Sequence, residues 1–396
     1  MPGLFDPLTL RGITLRNRIG VSPMVQTSST DGYATDWHLV HLGARAIGGA
    51  GLVMLEATAI APQGRITERD LGIWHDDHIP GLSRIADFIS KSGAVPGIQL
   101  GHAGRKGSYS PSFGPTGMQA VEPVAAEDGG WPVIGPSPLP FEAGGAVPQP
   151  MDQNDIEEVI ELFAAAAARA DACGFQVIEV HAAHGYLLHS FCSPLSNKRS
   201  DDFGGTFDNR VRLACHVARS IRSRWPDRKP LIFRLSHTDW ISNGWSTEDS
   251  IKLAKRLKSE GVDLIDVSSG GTSSTTVALM AHLTKKNLEL PTAEERAVPV
   301  AQIPIHPGYQ VPGAVAIGMG AGICTAAVGL ITEAHQANLI IKQGKADMVM
   351  LGRALLRDPN WPIRAAIELG IPESVEVPAQ YYLAWKDQGN LTYRPW

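Results

Sequence analysis

Short apolar runs recur along the chain, each set apart from the next by a longer stretch with helical spacing. The runs occupy residues 18–24, 50–60, 94–107, 174–185, 230–240, 261–271, 325–332 and 346–356. Stretches such as "DIEEVIELFAAAAARADACG" and "STEDSIKLAKRLKSE" lie between them. The runs are nearly continuous in apolar residues rather than alternating, which marks strands covered on both faces, as in parallel sheets. Helices between parallel strands make right-handed βαβ units, and eight such units predict an α/β fold of the (β/α)8 barrel type. An open doubly wound sheet is the rival. It usually carries a nucleotide-binding glycine motif, and neither G-x-G-x-x-G opening a helix after the first strand nor G-x-x-x-x-G-K-[ST] is present. "GMGAG" at 318–322 only resembles such a motif and is assigned to the end of the sixth helix.

Two stretches break the repeat: residues 104–150, after the third strand, and residues 272–302, after the sixth. Loops of such length are commonly lids or mobile segments. Both leave the C-terminal ends of strands, the face on which barrel active sites lie. The whole of 1–396 reads as one domain, with a tail at 368–396 expected to contact a neighbouring subunit.

Composition narrows the class without changing the fold. The chain has 396 residues, 43% hydrophobic and 19% charged, enough for a large core. A net charge of −5 with both signs intermixed argues against a nucleic-acid or membrane-surface partner. None of the four cysteines forms a C-x-x-C pair, which argues against a zinc ribbon, an iron–sulfur cluster or a disulfide framework. The N-terminus has no signal-peptide pattern and no run is long enough to span a bilayer, so a cytoplasmic protein is expected.

Polar residues at strand ends carry the candidate chemistry: Ser22, Gln99, His181, His184, Tyr186, Arg234, Ser268, Ser269, Gly329, Gly352 and Arg353. His181 and His184 sit at i and i+3, on opposite faces of a strand, so both meet one ligand only if the chain turns after His181, a turn that Gly185 eases. A metal would need more ligands than these, and no H-E-x-x-H is present. Two imidazole N–H donors on one oxygen, beside the Tyr186 phenol, suit a carbonyl that becomes an enolate; the plainer alternative is a pair of structural histidines. Gly329 and Gly352–Arg353, at strands seven and eight, suit a phosphate, or else simply make turns. Arg234 needs an anion, a cofactor edge or a buried carboxylate such as Glu179. Gln99 can both donate and accept, as a planar heterocycle requires. Phosphate, planar ring and enolate donors together point to flavin mononucleotide.

The segments "LFDPLTLRGITLRNRIGVSPM", "GRITERDLGIW", "QLGHAGRKG", "EVHAAHGYLLHSFCSPLSNKRSDDFGGTFDNR" and "AVGLIT…LGRALLRDP" resemble the old yellow enzyme family, in its thermophilic-like branch related to xenobiotic reductases. The resemblance covers most of the chain. It implies an FMN-binding barrel whose floor is capped by an N-terminal β-hairpin, with NADPH or NADH as electron donor, an activated alkene as substrate and a homodimer or homotetramer as assembly. Carried over residue by residue, Ser22, Pro23, Met24, Val25, Ala57 and Gln99 line the flavin, Arg234 meets its N1/O2 edge, and Gly329, Gly352 and Arg353 hold its phosphate. His181 and His184 hold the substrate oxygen, Tyr186 delivers a proton, and Thr27 lines the substrate pocket.

The chain departs from the family pattern at Val25, where a cysteine is often found, at Thr27 in place of a tyrosine, and at Leu383 in place of an arginine that reaches a neighbouring subunit's site. Arg394 in the tail is a candidate substitute for that arginine. Glycines in "PGAVAIGMGAG" are expected to weaken the sixth helix. A flavin-binding protein with little turnover and a dedicated biosynthetic alkene reductase or dehydrogenase are the alternatives within the fold. A phosphate-binding lyase or isomerase would need a Schiff-base lysine, and no lysine ends a strand.

Overall fold

A computed structural model of the chain describes residues 1–111, 122–277 and 303–395, together with the backbone of 113–114 and 117–118. Eight parallel strands close into a barrel in sequence order. They are β1 (Ile19–Val21), β2 (Leu52–Ala59), β3 (Val95–Gly101), β4 (Val177–Ala182), β5 (Leu231–Ser236), β6 (Leu264–Ser268), β7 (Cys324–Ala327) and β8 (Met348–Leu351). The circle closes where β8 pairs with β1, Val349 opposite Ile19. The helices packed outside are α1 (Asp36–Ile47), α2 (Ile79–Lys91), α3 (Gln153–Ala172), α4 (Arg212–Arg224), α5 (Thr247–Ser259), α6 (Val311–Ala321), α7 (Ala334–Lys342) and α8 (Trp361–Glu368). Their starts are written locally: Asp152 caps α3 by accepting from Asp155 N, and Ser246 caps α5 by accepting from Asp249 N.

Each strand sorts its residues by alternation. Ile178, Val180, Phe233, Leu235, Ile265 and Val267 point out and join the layer between barrel and helices. Val177, Ile232 and Leu264 point in and pack with Leu52, Met54, Ala326, Met348 and Met350 at the barrel floor. Two residues further along each of β4, β5 and β6, the inward positions become Glu179, Arg234 and Asp266. Two further still they become His181, Ser236 and Ser268. Both faces are therefore covered, as the continuous runs predict, but the inner column turns from apolar to charged to polar on the way up.

The floor is plugged by a hairpin, Leu8–Leu10 paired antiparallel with Ile13–Leu15. Leu8, Leu10 and Leu15 join the inner apolar cluster, which confirms the expected cap. In the long segment after β3, Ile134–Gly135 pairs with Gln149–Pro150 and ties its far end down. Of the 272–302 insert, residues 278–302 lie outside the described residues.

The glycines of α6 have a packing reason beyond their cost in helix propensity, about 1 kcal/mol each. A Cβ on Gly313 would lie 2.6 Å from the His237 ring, and one on Gly320 would lie 2.8 Å from Ile251 of α5. They let α6 sit close against its neighbours. "GMGAG" does end this helix, with Gly322 closing it at φ 61°. The tail pairs Glu376–Pro378 with Thr392–Arg394, and Arg394 Nη1 lies 4.0 Å from Glu376 Oε2. The Arg394 guanidinium also comes close to Gly93, just before β3 begins. Arg394 thus packs at the floor of its own barrel, not at its mouth. No described helix is long and apolar enough to cross a membrane.

Phe233 is fully enclosed between barrel and helices. Phe233→Ala should lower the unfolding free energy by about 3–5 kcal/mol in a urea titration, and a loss under about 1 kcal/mol would mean that this layer repacks.

Candidate active site

At the end of β4 the chain turns through two left-handed residues, His184 at φ 59° and Gly185 at φ 76°. The sequence suggests glycine for this turn; the structure also bends a histidine, at a cost of order 1–3 kcal/mol. Neighbouring loops hold it there. Ser236 Oγ accepts from His184 N at 2.9 Å, and Lys106 Nζ donates to His184 O at 2.8 Å and to Gly271 O at 3.2 Å. The loops after β4 and β6 meet backbone to backbone: a Cβ on Gly185 would lie 2.3 Å from Gly271 O.

The turn brings the two imidazoles together edge to face, with His181 Nε2 3.3 Å from His184 Nδ1. Ala183 N donates to His181 Nδ1, so the His181 proton is on Nε2. His184 Nε2 lies 2.6 Å from Ser268 Oγ. Burial, with the Arg234 charge adding to it, drives both rings well below the ordinary histidine value, so both are neutral. Two free N–H donors converging on a substrate oxygen were the expectation. The structure brings the two rings side by side at the end of β4 and places Ser268 Oγ next to His184.

Tyr186 packs edge-on to His181, ring centroids 4.7 Å apart. The Lys106 ammonium lies 4.8 Å above the Tyr186 ring. The Tyr186 hydroxyl has no hydrogen-bond partner among the described residues, and the residue lines a cleft with Ala57, Asp70, His102 and His181. Burial, and then the Asp70 carboxylate, raise the phenol above its usual range, so it keeps its proton at neutral pH. Burial also lifts Asp70 itself to about 6.

One layer below the mouth, Arg234 Nη1 donates to Ser22 Oγ at 3.2 Å, and its Nε lies 3.3 Å from Asp266 Oδ2. The buried carboxylate beside Arg234 is thus Asp266, directly across the β5–β6 register, whereas the sequence offered Glu179. Glu179 instead accepts from Gln99 Nε2 at 2.6 Å. Burial and the nearby Asp266 charge push the Glu179 carboxyl well up, so it holds a proton and leaves Asp266 to Arg234. Arg234 Nε and both Asp266 oxygens lack hydrogen-bond partners in this layer.

At the mouth, Ser22 is buried, Pro23 and Met24 are half-buried, and Val25 is exposed at the end of β1. Past β7, Gly329 has φ 115°, and a Cβ there would lie 2.8 Å from Gln310 Nε2. Past β8, Gly352 lies against Met24, where a Cβ would sit 3.4 Å from the sulfur. Arg353 is exposed, with no hydrogen bond or ion pair from its guanidinium among the described residues. An uncommitted guanidinium next to Gly352, with Gly329 past the adjoining strand, fits a phosphate. The uncovered Val25 and the orphaned donor of Arg234 fit the edge of a planar ring. These residues therefore suit FMN. Thr27 is buried, at φ 48°, and is not one of the residues lining the Tyr186 cleft.

Lys106, Asp70, Ser236 and Gln310 were not legible as site residues. Lys106 was the nearest to being so: no lysine ends a strand, but this one enters from the turn Gly104–Lys106 just past β3, inside the quoted "QLGHAGRKG". Its position near a barrel mouth resembles that of a Schiff-base lysine, but both of its carbonyl contacts commit it to holding loops.

A family model described as the NADH:flavin oxidoreductase / NADH oxidase family matches residues 3–371. The chain is 43% identical over 385 residues to an NADPH dehydrogenase of Geobacillus thermodenitrificans, covering 97% of this chain and 98% of that one. It is 42% identical over 388 residues to an NADPH dehydrogenase of Listeria innocua, covering 98% and 100%. Among solved structures, morphinone reductase in complex with tetrahydroNAD matches with a TM-score of 0.71 at 23% identity, covering 94% of this chain and 92% of that one. A 2-naphthoyl-CoA reductase complex matches with a TM-score of 0.77 at 25% identity over 94% of this chain, which spans 53% of that longer protein.

Burial lowers the Lys106 ammonium from 10.5 to about 7. The folded protein then holds this proton less tightly than the unfolded chain, so stability rises as pH climbs from about 7 toward 10.5. Thermal melts of wild type and Lys106→Met between those limits should show the rise in wild type and a flatter profile in the variant; parallel profiles would place the ammonium in water.

Proposed function

The chain belongs to the NADH:flavin oxidoreductase / NADH oxidase family and is an NAD(P)H-dependent flavin oxidoreductase, and from that premise we propose that it is an ene-reductase acting on α,β-unsaturated carbonyls and related activated alkenes. The observation that carries this reading is the free Tyr186 hydroxyl facing a cleft beside two neutral imidazoles. A proton donor next to neutral N–H groups suits a substrate oxygen that gains charge while a carbon gains a proton.

When bound, FMN supplies the redox chemistry, taking two electrons from NADPH or NADH and passing a hydride to the β-carbon of the alkene. Ser22, Pro23, Met24, Val25, Ala57 and Gln99 would frame its ring, and Gly329, Gly352 and Arg353 its phosphate. Arg234, beside Asp266, would supply a fixed positive charge to the ring's N1/O2 edge. His181 and His184 hold the carbonyl oxygen, and each preorganised donor to the developing enolate lowers the barrier by roughly 2.7–4 kcal/mol. Tyr186 protonates the α-carbon; its raised pKa keeps the proton available at neutral pH. Thr27, in place of the family's tyrosine, would leave the pocket wall smaller and more open, though it does not itself line the Tyr186 cleft. Holding the alkene in one orientation contributes the rest. In the same reading, residues 1–396 act as one domain in a homodimer or homotetramer, which the exposed Trp37, Val40, Tyr382 and Leu383 support.

The purified protein should be yellow, bleach under anaerobic NADPH and recolour with 2-cyclohexenone. A protein that stays colourless with added FMN, or that bleaches and never recolours with any enone, would reject the proposal. Tyr186→Phe should slow recolouring by about 10²-fold or more while bleaching by NADPH stays near wild type. Equal losses in both half-reactions would remove Tyr186 from the proton-transfer step.

A further inference from the structure

We propose that Asp239 and His189 are a positioning pair for the reaction: the carboxylate keeps the His189 proton on Nε2, and the bare Nδ1 holds the Gly185 N–H, which aims Tyr186 into its cleft. This rests on the ene-reductase reading of Tyr186.

Asp239 stands just past β5 and is fully buried. Donors from the loops after β4, β5 and β6 converge on its carboxylate. Oδ2 accepts from Ser193 Oγ at 2.6 Å and from Trp245 N at 2.8 Å. Oδ1 accepts from Thr272 Oγ1 at 2.7 Å and lies 3.2 Å from His189 Nε2. Burial works to raise this carboxyl, but His189, Ser193 and Thr272 outweigh it and hold the group below its usual range, so it is ionised. The Arg105 guanidinium, which donates to Thr272 O at 2.6 Å, interacts with that charge.

The first link is the placement of one hydrogen. An ionised carboxylate only accepts, and a backbone N–H only donates. His189, on the helical turn Leu187–Cys192, stands between one of each. Its Nδ1 accepts from Gly185 N at 2.8 Å, so that nitrogen carries no proton. The proton is therefore on Nε2, the nitrogen facing Asp239. This contact is bent rather than straight, so what Asp239 supplies is charge: a negative oxygen at 3.2 Å favours an N–H over a lone pair. Thr272 Oγ1 also lies 3.3 Å from Nδ1, but its proton goes to the closer carboxylate oxygen. Neither the carboxylate nor the Gly185 N–H can reverse its role, and a single tautomer serves both.

The second link runs to the site. Gly185 lies between His184 and Tyr186, and the turn is left-handed at both His184 and Gly185. Ser236 Oγ and Lys106 Nζ hold the peptide groups of His184, and His189 holds the N–H of Gly185. Tyr186 leaves the turn at an angle that this hold fixes. An amide in place of the Asp239 carboxylate must keep its oxygen toward Trp245 N, a donor that cannot turn. Its NH2 then faces Thr272 and His189. Thr272 can rotate its hydroxyl to accept, but His189 can accept only by moving its proton to Nδ1. That would set two donors, Nδ1–H and Gly185 N–H, against each other. Asp239 and His189 are thus positioning residues that act through Gly185.

The test uses the FMN-loaded enzyme, with folding and loading of each variant checked by thermal melt and flavin absorbance. His189→Asn puts an amide oxygen in the place of Nδ1 and keeps the hold on Gly185, whereas His189→Leu removes it. His189→Leu should slow recolouring by 2-cyclohexenone roughly 10- to 100-fold, and His189→Asn should stay near the wild-type rate. Nitrogen NMR of ¹⁵N-labelled histidine rings, with His189 identified by its loss from the His189→Asn spectrum, should show the proton on Nε2 in wild type and on Nδ1 in Asp239→Asn. If Asp239→Asn does not fold, the wild-type tautomer and the two His189 variants decide. A wild-type rate in His189→Leu, or equal losses in the Leu and Asn variants, would overturn the inference. So would a proton found on Nδ1 in wild type, or one unmoved in a folded Asp239→Asn. Each of these leaves the ene-reductase reading standing, because the wild type still recolours. If the wild type never recolours with any enone, that reading falls and takes this inference with it.

Discussion

A closed ring of parallel strands leaves no water inside to solvate what points inward, and this constraint governs the molecule. Every inward polar group needs a partner from a neighbouring strand or from a ligand at the mouth. The floor meets the constraint by being apolar, with Leu8, Leu10 and Leu15 sealing Leu52, Val177, Ile232 and Leu264. The middle layer meets it by charge: one guanidinium, Arg234, lies beside Asp266, while Glu179 holds its proton and bonds Gln99. That layer fixes a positive charge one layer below the mouth. A buried cation that is only partly compensated from the protein side favours an electron-rich edge above it.

The mouth is built by the loops after β3, β4 and β6 gripping one another. Arg105 Nη2 donates to Thr272 O at 2.6 Å, and Lys106 reaches His184 O and Gly271 O. Two adjacent residues past β3 thereby tie down the loops past β4 and β6. Glycines at 185 and 271 permit the backbone contact that makes the grip possible. The outcome is a histidine held in a left-handed conformation, its ring delivered to its partner without freedom to swing away. Catalysis by fixed donors depends on such rigidity, since a donor that must reorganise during the reaction loses its advantage.

Different links of the chain from sequence to function carried different amounts of information. Strand number, order and parallel direction were legible, because alternation of apolar runs with helical stretches is a property of consecutive residues. The assignment of 318–322 to the end of α6 and the grouping of His181, His184 and Tyr186 at one strand end were legible for the same reason, whereas the hairpin cap was expected only from the family resemblance. The motifs around them were specific enough to name the family, which the comparisons with known proteins establish.

What the sequence alone determined is therefore that His181, His184 and Tyr186 stand together at the barrel mouth; which other residues join them there, and what they bond to, was decided by the tertiary structure. Asp266 rather than Glu179 neighbours Arg234 because strand register places it directly across, and register is a relation between strands that no single run encodes. His184 bends left-handed, and Lys106 enters the site from outside any strand, because loops distant in sequence are forced together when the ring closes. The two rings meet, and Ser268 stands beside them, because closure brings the turn after β4 against the end of β6.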